Sequence, residues 1–72
     1  RGEHQKVLLI WQTVVKERPQ NPQYRTSLAA AYLNVGRREE AIAQLEKAAE
    51  LNERFRDQAE YYIREIRAGR NP

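Results

Sequence analysis

Apolar residues recur along the chain at helical spacing, in four blocks separated by three breaks: Pro19-Gln20-Asn21-Pro22, Gly36 and Asn52. No stretch alternates apolar and polar with period two, and β-branched residues concentrate only in the first block, so no block reads as a strand. The first block predicts a helix over 3–18. Val7, Trp11, Val14 and Val15 follow the i, i+4, i+7, i+8 spacing of a buried stripe, with Leu8 joining one edge. Leu9 and Ile10 widen the apolar face well beyond that of an ordinary surface helix. Pro19 stops the helix, because the residue before a proline avoids helical backbone.

The second block predicts a helix from Pro22 to about Val35. Asn21 is a good N-cap, and Pro22 takes the first helical position, where its missing N–H is no loss. Leu28, Ala31, Tyr32 and Val35 form its stripe, and Ala29-Ala30-Ala31 keep it thin enough for a close neighbour. Gly36 supplies a left-handed stop. The third block predicts a helix from about Arg38 to Leu51, with Ala41, Ile42, Leu45, Ala48, Ala49 and Leu51 on a wide apolar face. Glu39 and Glu40 in its first turn favour the helix dipole. The fourth predicts a helix from about Arg54 to Ala68, with Phe55, Ala59, Tyr62, Ile63 and Ile66 on one face and Glu60–Arg64 as an i, i+4 ion pair. Gly69 ends it, and Asn71-Pro72 cannot continue it. Connections this short return each helix along its predecessor, which gives a chain of antiparallel αα-hairpins.

Sliding the sequence by 34 residues brings Gly2 onto Gly36, Val7 onto Ala41, Trp11 onto Leu45, Val14 onto Ala48, Leu28 onto Tyr62 and Tyr32 onto Ile66. Apolar falls on apolar, in a helix–turn–helix unit of that period. Within residues 20–53, Leu28, Ala29 and Tyr32, the turn Gly36, and then Ala41, Leu45 and Ala48 have the spacing of the tetratricopeptide repeat. Ala29 stands for the family's glycine. Arg25 departs from its frequent tryptophan and Glu53 from its proline. The chain thus resembles an all-α, right-handed superhelical stack of four helices in a single domain over 1–72. It consists of the second helix of one repeat (3–18), a complete repeat (20–53) and a capping helix (54–69).

Composition narrows the chemistry. Seventy-two residues, no cysteine and one histidine leave no disulfide, no thiolate and too few ligands for most zinc sites. His4 has no partner at ligand spacing. Thr13, Thr26 and Ser27 stand in no nucleophile motif, and the three glycines form no phosphate loop. Adjacent Glu39 and Glu40 point apart on a helix. These features predict no enzyme, no cofactor and no metal. The longest apolar run, Val7-Leu8-Leu9-Ile10-Trp11, is far short of the roughly 20 residues of a membrane span. The start at Arg1 shows no signal peptide and reads as a piece of a longer protein. With no cysteine, this favours the cytoplasm. The net charge is +3, with five basic against two acidic groups in 1–36 and eight against eight in 37–72. Interleaved charge of this kind lacks the one-sided basic stripe of a nucleic-acid module. A DNA-binding helix-turn-helix around Gly36 would set Glu39, Glu40 and Glu46 against phosphates, so no nucleic acid is expected as partner.

The resemblance implies a protein or peptide partner, bound on a concave face lined by the first helix of each repeat. On the second helix that face carries Gln23, Thr26, Ser27, Ala30, Leu33 and Asn34. On the fourth it carries Asp57, Glu60, Tyr61, Arg64 and Arg67. Thr26, Ala30, Asp57 and Tyr61 stand where some members hold the lysine, asparagine and arginine that grip a peptide carboxylate, so that clamp is absent. Tyr61 is the aromatic anchor and Arg64 and Arg67 the polar ones, residue types common at interface hot spots. Leu8, Leu9, Ile10 and Trp11 form an apolar patch that a preceding helix would cover in the family. It reads either as the result of truncation or as a docking surface for the rest of a longer chain, for another copy as an oligomer interface, or for a membrane surface, the last with thin support from Lys6 and Lys16. The competing reading is therefore assembly or self-association. The tail from Tyr61 to Arg70 resembles C-terminal repeats appended to bacterial membrane proteins of polysaccharide assembly, which would make the chain the soluble tail of a larger membrane-anchored protein.

Overall fold

Helix formation follows the local signals closely. The computed structural model describes residues 2–70. Arg1, Asn71 and Pro72, including the expected stop at Asn71-Pro72, lie outside them. The chain runs α1 (Glu3–Glu17), α2 (Pro22–Asn34), α3 (Arg38–Leu51), a 3-10 turn (Glu53–Phe55) and α4 (Arg56–Arg67), with no strand among the described residues. The all-α class and the four-helix order are as the pattern predicts.

Each break has a physical cause. The Asn21 side chain accepts the Tyr24 N–H at 3.0 Å, with Pro22 at the first position of α2. After α2, Gly36 sits at φ 80°. Its N–H donates to Leu33 O at 3.0 Å and that of Arg37 to Tyr32 O at 2.9 Å, a Schellman closure. Gly69, at φ 82°, repeats the device, with Gly69 N–H to Ile66 O and Arg70 N–H to Glu65 O. The third break works differently. Asn52 Oδ1 accepts the Arg54 N–H at 2.9 Å and starts the 3-10 turn, so α4 begins two residues later than the stripe implies.

Gly36→Ala is expected to destabilise the domain by about 1–2 kcal/mol, the cost of left-handed backbone for an L-residue. An added Cβ would meet nothing within 4 Å, so crowding contributes nothing. Gly36→Asn should recover part of the loss, since asparagine tolerates that region. Urea denaturation of the three chains measures both effects, and equal midpoints would mean the turn does not hold this conformation.

The helices pack in chain order, with α2 and α3 the closest pair and α1 and α4 at the two edges. The Cα envelope of 33 × 30 × 14 Å is thin in one direction. A single helix is about 4.6 Å across its Cα atoms and packed helices lie about 8–10 Å apart, so this is the thickness of two packed helices. α1 packs chiefly on α2, and α4 on α3 and the 3-10 turn. The core joins Leu8 and Val15 of α1 to Leu28, Ala29, Ala31 and Tyr32, then Ala41, Ile42, Leu45 and Ala49, then Ala59, Ile63 and Ile66. Ala48 is buried as well.

Two expectations for α1 change. The pattern centres its buried stripe on Val7 and Trp11; the structure centres it on Leu8 and Val15 and leaves Val7 41% exposed. Leu8, expected in an uncovered patch, is only 1% exposed. Five consecutive apolar residues surround the helix so completely that periodicity cannot choose a face. Contact with α2 chooses it. Trp11 is half-buried, its ring tilted 46° to Tyr24 with centroids 6.0 Å apart, so it helps join α1 to α2.

Candidate functional site

The residues singled out in the sequence fall into three places. Leu28, Ala29, Tyr32, Ala41, Leu45 and Ala48 are buried, and they hold the α2–α3 hairpin together. Tyr32 also accepts a hydrogen bond from Gln12 Nε2 at 3.2 Å and carries Arg37 over its ring at 5.0 Å. One residue is thus tied to α1, α2 and the turn. Arg25, where a tryptophan is frequent in the resembling family, is equally structural. Its Nε donates to Pro19 O at 3.2 Å and its Nη1 to Gln44 Oε1 at 3.0 Å, bridging the first turn to α3. The sequence offers no sign of this role, because a lone arginine reads as surface.

The second place is α2. Thr26 is half-buried and donates its hydroxyl to Pro22 O at 3.1 Å. Leu33, a groove position by what the family resemblance implies, is half-buried and packs on the core. Ala30 and Asn34 are exposed.

The third place is a cleft of about 860 Å³ between α3 and α4. Ala49, Ala59 and Ile63 line its floor, and Glu46, Glu50, Arg56, Glu60, Arg64 and Arg67 its rim. The structure therefore brings Arg64 and Arg67 together with the acidic residues of α3. None of Thr26, Ala30, Leu33 and Asn34 lines that cleft, so the single groove shared by α2 and α4 is not what the structure builds around these arginines. Asp57 and Tyr61 are exposed on α4 outside it; Tyr61 is 48% exposed, with its ring 5.7 Å from that of Tyr62.

Electrostatics on α4 also differ from expectation. Glu60 and Arg64 form no ion pair among those found in the described residues. The helix is instead pinned at its ends. Arg56 Nε donates to Glu53 Oε1 at 2.9 Å, and Arg70 makes two parallel bonds to Glu65, at 2.7 and 2.9 Å. The Arg70 guanidinium holds the Glu65 carboxyl below the ordinary glutamate range by hydrogen bonding, and Arg37 does the same to Glu40. Arg64 is thereby left exposed at the cleft, with its donors available to a ligand.

His4 is exposed on the first turn of α1, and no group of three or more metal-ligating side chains gathers among the described residues. No helix among them is long and apolar enough to cross a membrane.

No protein-family model, curated protein or solved structure matches the chain. The functional reading therefore rests on the geometry and on the spacing of the residues themselves.

Proposed function

We propose that the chain is a protein–protein interaction module, a tetratricopeptide-like scaffold that binds a peptide or helix of a partner and does no chemistry. One observation carries this reading: an open cleft between α3 and α4 in which three glutamates and three arginines stand over the buried side chains of Ala49, Ala59 and Ile63 and offer charged groups of both signs to a partner. The mechanism is passive. Short turns and the packed α2–α3 hairpin hold α3 and α4 rigid, so little conformational freedom is lost on binding. Arg64 and Arg67 offer forked donors to carbonyls or carboxylates. Tyr61, one turn before Arg64 on α4, offers an aromatic face. The α2 residues Thr26, Ala30 and Asn34, which the family resemblance would set on a concave face, lie outside this cleft.

The test is selection from a displayed peptide library against the folded chain, with the binding site mapped by amide chemical shifts. Selected peptides should perturb α3 and α4 around Ala49, Ala59 and Ile63. Arg64→Ala and Arg67→Ala should each weaken them by about tenfold, the usual range for an anchor residue. Both side chains are exposed, so thermal stability should not change. Failure to enrich any binder, or shifts confined to α1, would remove the reading.

A further inference from the structure

We propose that the turn from Arg18 to Pro22 is a hinge, and that α1 exchanges between two copies of the chain to give a swapped dimer. The surface that receives α1 is the one α1 already covers on α2, so the occupant and its fit are both seen within a single copy. The inference does not depend on the reading of the α3–α4 cleft.

Helix α1 lies at one edge of the domain and packs chiefly on α2. Leu8 and Val15 enter the core. Trp11 lies against Tyr24, with ring centroids 6.0 Å apart, and Gln12 Nε2 donates to the Tyr32 hydroxyl at 3.2 Å. The rest of the core stays joined through α3, which packs on both α2 and α4. When the α1 of a second copy takes the place, each of these α1–α2 contacts is remade. Exchange therefore loses neither buried surface nor hydrogen bonds at this junction.

The connection is built to open. Four residues, Arg18-Pro19-Gln20-Asn21, join Glu17 to Pro22. Arg18 and Asn21 each precede a proline, which favours extended backbone at both. Asn21 is extended already, at φ −93° and ψ 109°. Arg18 stands at φ −130° and ψ 64°, and rotating that ψ into the extended range straightens the turn. The prolines also keep α1 and α2 from fusing into one continuous helix. The open form is thus a short extended strap, with a reach of about 13–14 Å. Packed helices lie about 8–10 Å apart, so the strap carries α1 clear of its own α2.

Two hydrogen bonds hold the turn closed. Asn21 N–H donates to Arg18 O at 3.3 Å, and Arg25 Nε donates to Pro19 O at 3.2 Å. Arg25 is the clasp from outside the turn. Its second bond, from Nη1 to Gln44 Oε1 at 3.0 Å, ties α2 to α3 and is common to the closed and exchanged forms. No residue of α1 lines the α3–α4 cleft, so a swapped dimer carries that cleft twice and offers a repeated partner two points of attachment.

Refolding at two concentrations tests the exchange. The chain is unfolded in urea, refolded at about 1 µM and at about 1 mM, brought to one common dilution and separated by size. A short connection holds α1 at its own α2 with an effective concentration on the order of millimolar, which a second copy must match. The dilute sample should be monomeric. The concentrated one should contain dimer that survives dilution, because reversion requires α1 to leave its partner. Insertion of Gly-Ser-Gly-Ser between Gln20 and Asn21 lets α1 fold back freely and should remove most of the dimer. Arg25→Ala should raise the dimer yield by about threefold or more, the worth of one hydrogen bond present only in the closed form. Monomer from both refoldings would overturn the proposal. So would a dimer whose yield the insertion leaves unchanged, since a contact between folded surfaces is indifferent to the length of this connection. Peptide binding at the cleft is read on the monomer, so either failure leaves the docking reading standing.

Discussion

Leu8→Ala is expected to lower the free energy of unfolding by about 2–5 kcal/mol, the range for emptying a buried leucine site. Leu8 is 1% exposed and is the largest fully buried side chain of the domain. It belongs to the cluster that continues through Leu28 and Tyr32 into α3. A domain of this size holds on the order of 4–10 kcal/mol in total, so the variant should be partly unfolded at room temperature. Leu9→Ala is the matched control. The same deletion one residue along, at a site 62% exposed, should change stability by about 0.5 kcal/mol or less. Urea denaturation of both chains decides the matter. Equal losses would mean that α1 is not rotated as described.

Ala41→Leu should cost about 1–3 kcal/mol by overpacking. Ala41 is 0% exposed, in the closest helix pair of the structure. Ala29 and Ala48 keep that hairpin thin, and Leu28, Leu45 and Tyr32 already fill the space around them. Three added carbons have nowhere to go unless α2 and α3 separate, and separation would loosen contacts along both helices. Ala43→Leu, exposed on the same helix, controls for helix propensity and should be nearly neutral. A melt in which both leucine variants match the parent would show that α2 and α3 do not approach this closely at Ala41.

These two experiments sit on either side of what can be read from a sequence. The Ala41 site was legible: alanines on α2 and α3, spaced so that they face each other, predict a close hairpin before any coordinate is known. The Leu8 site was not. Val7, Leu8, Leu9, Ile10 and Trp11 are all apolar, and a wide apolar face fits several rotations of the helix equally well. The same limit applies to the candidate site. Tyr61, Arg64 and Arg67 were named on α4 by what the family resemblance implies, and all three are exposed. That Arg64 and Arg67 would line a cleft with Glu46 and Glu50 of α3 did not follow from the sequence, because no local rule sets which neighbour a long surface side chain meets. Arg25 is the extreme case. Its two hydrogen bonds reach Pro19 and Gln44, and the second spans 19 residues.

By itself the sequence determined the number of helices, their order and most of their ends. These depend on interactions within a few residues: the Asn21 cap, the left-handed Gly36 and Gly69, and the 3.6-residue recurrence of apolar side chains. Only the tertiary structure decided which flank of α1 is buried, that Leu33 supports the core, that Glu65 pairs with Arg70 while Glu60 and Arg64 stay apart, and that α3 and α4 leave a cleft open between them. Surface ion pairs contribute at most about 1 kcal/mol each, so available space selects among them, and the neighbouring helices set that space. The rotation of a helix with more apolar surface than one neighbour can cover is settled the same way, by where its neighbours stop.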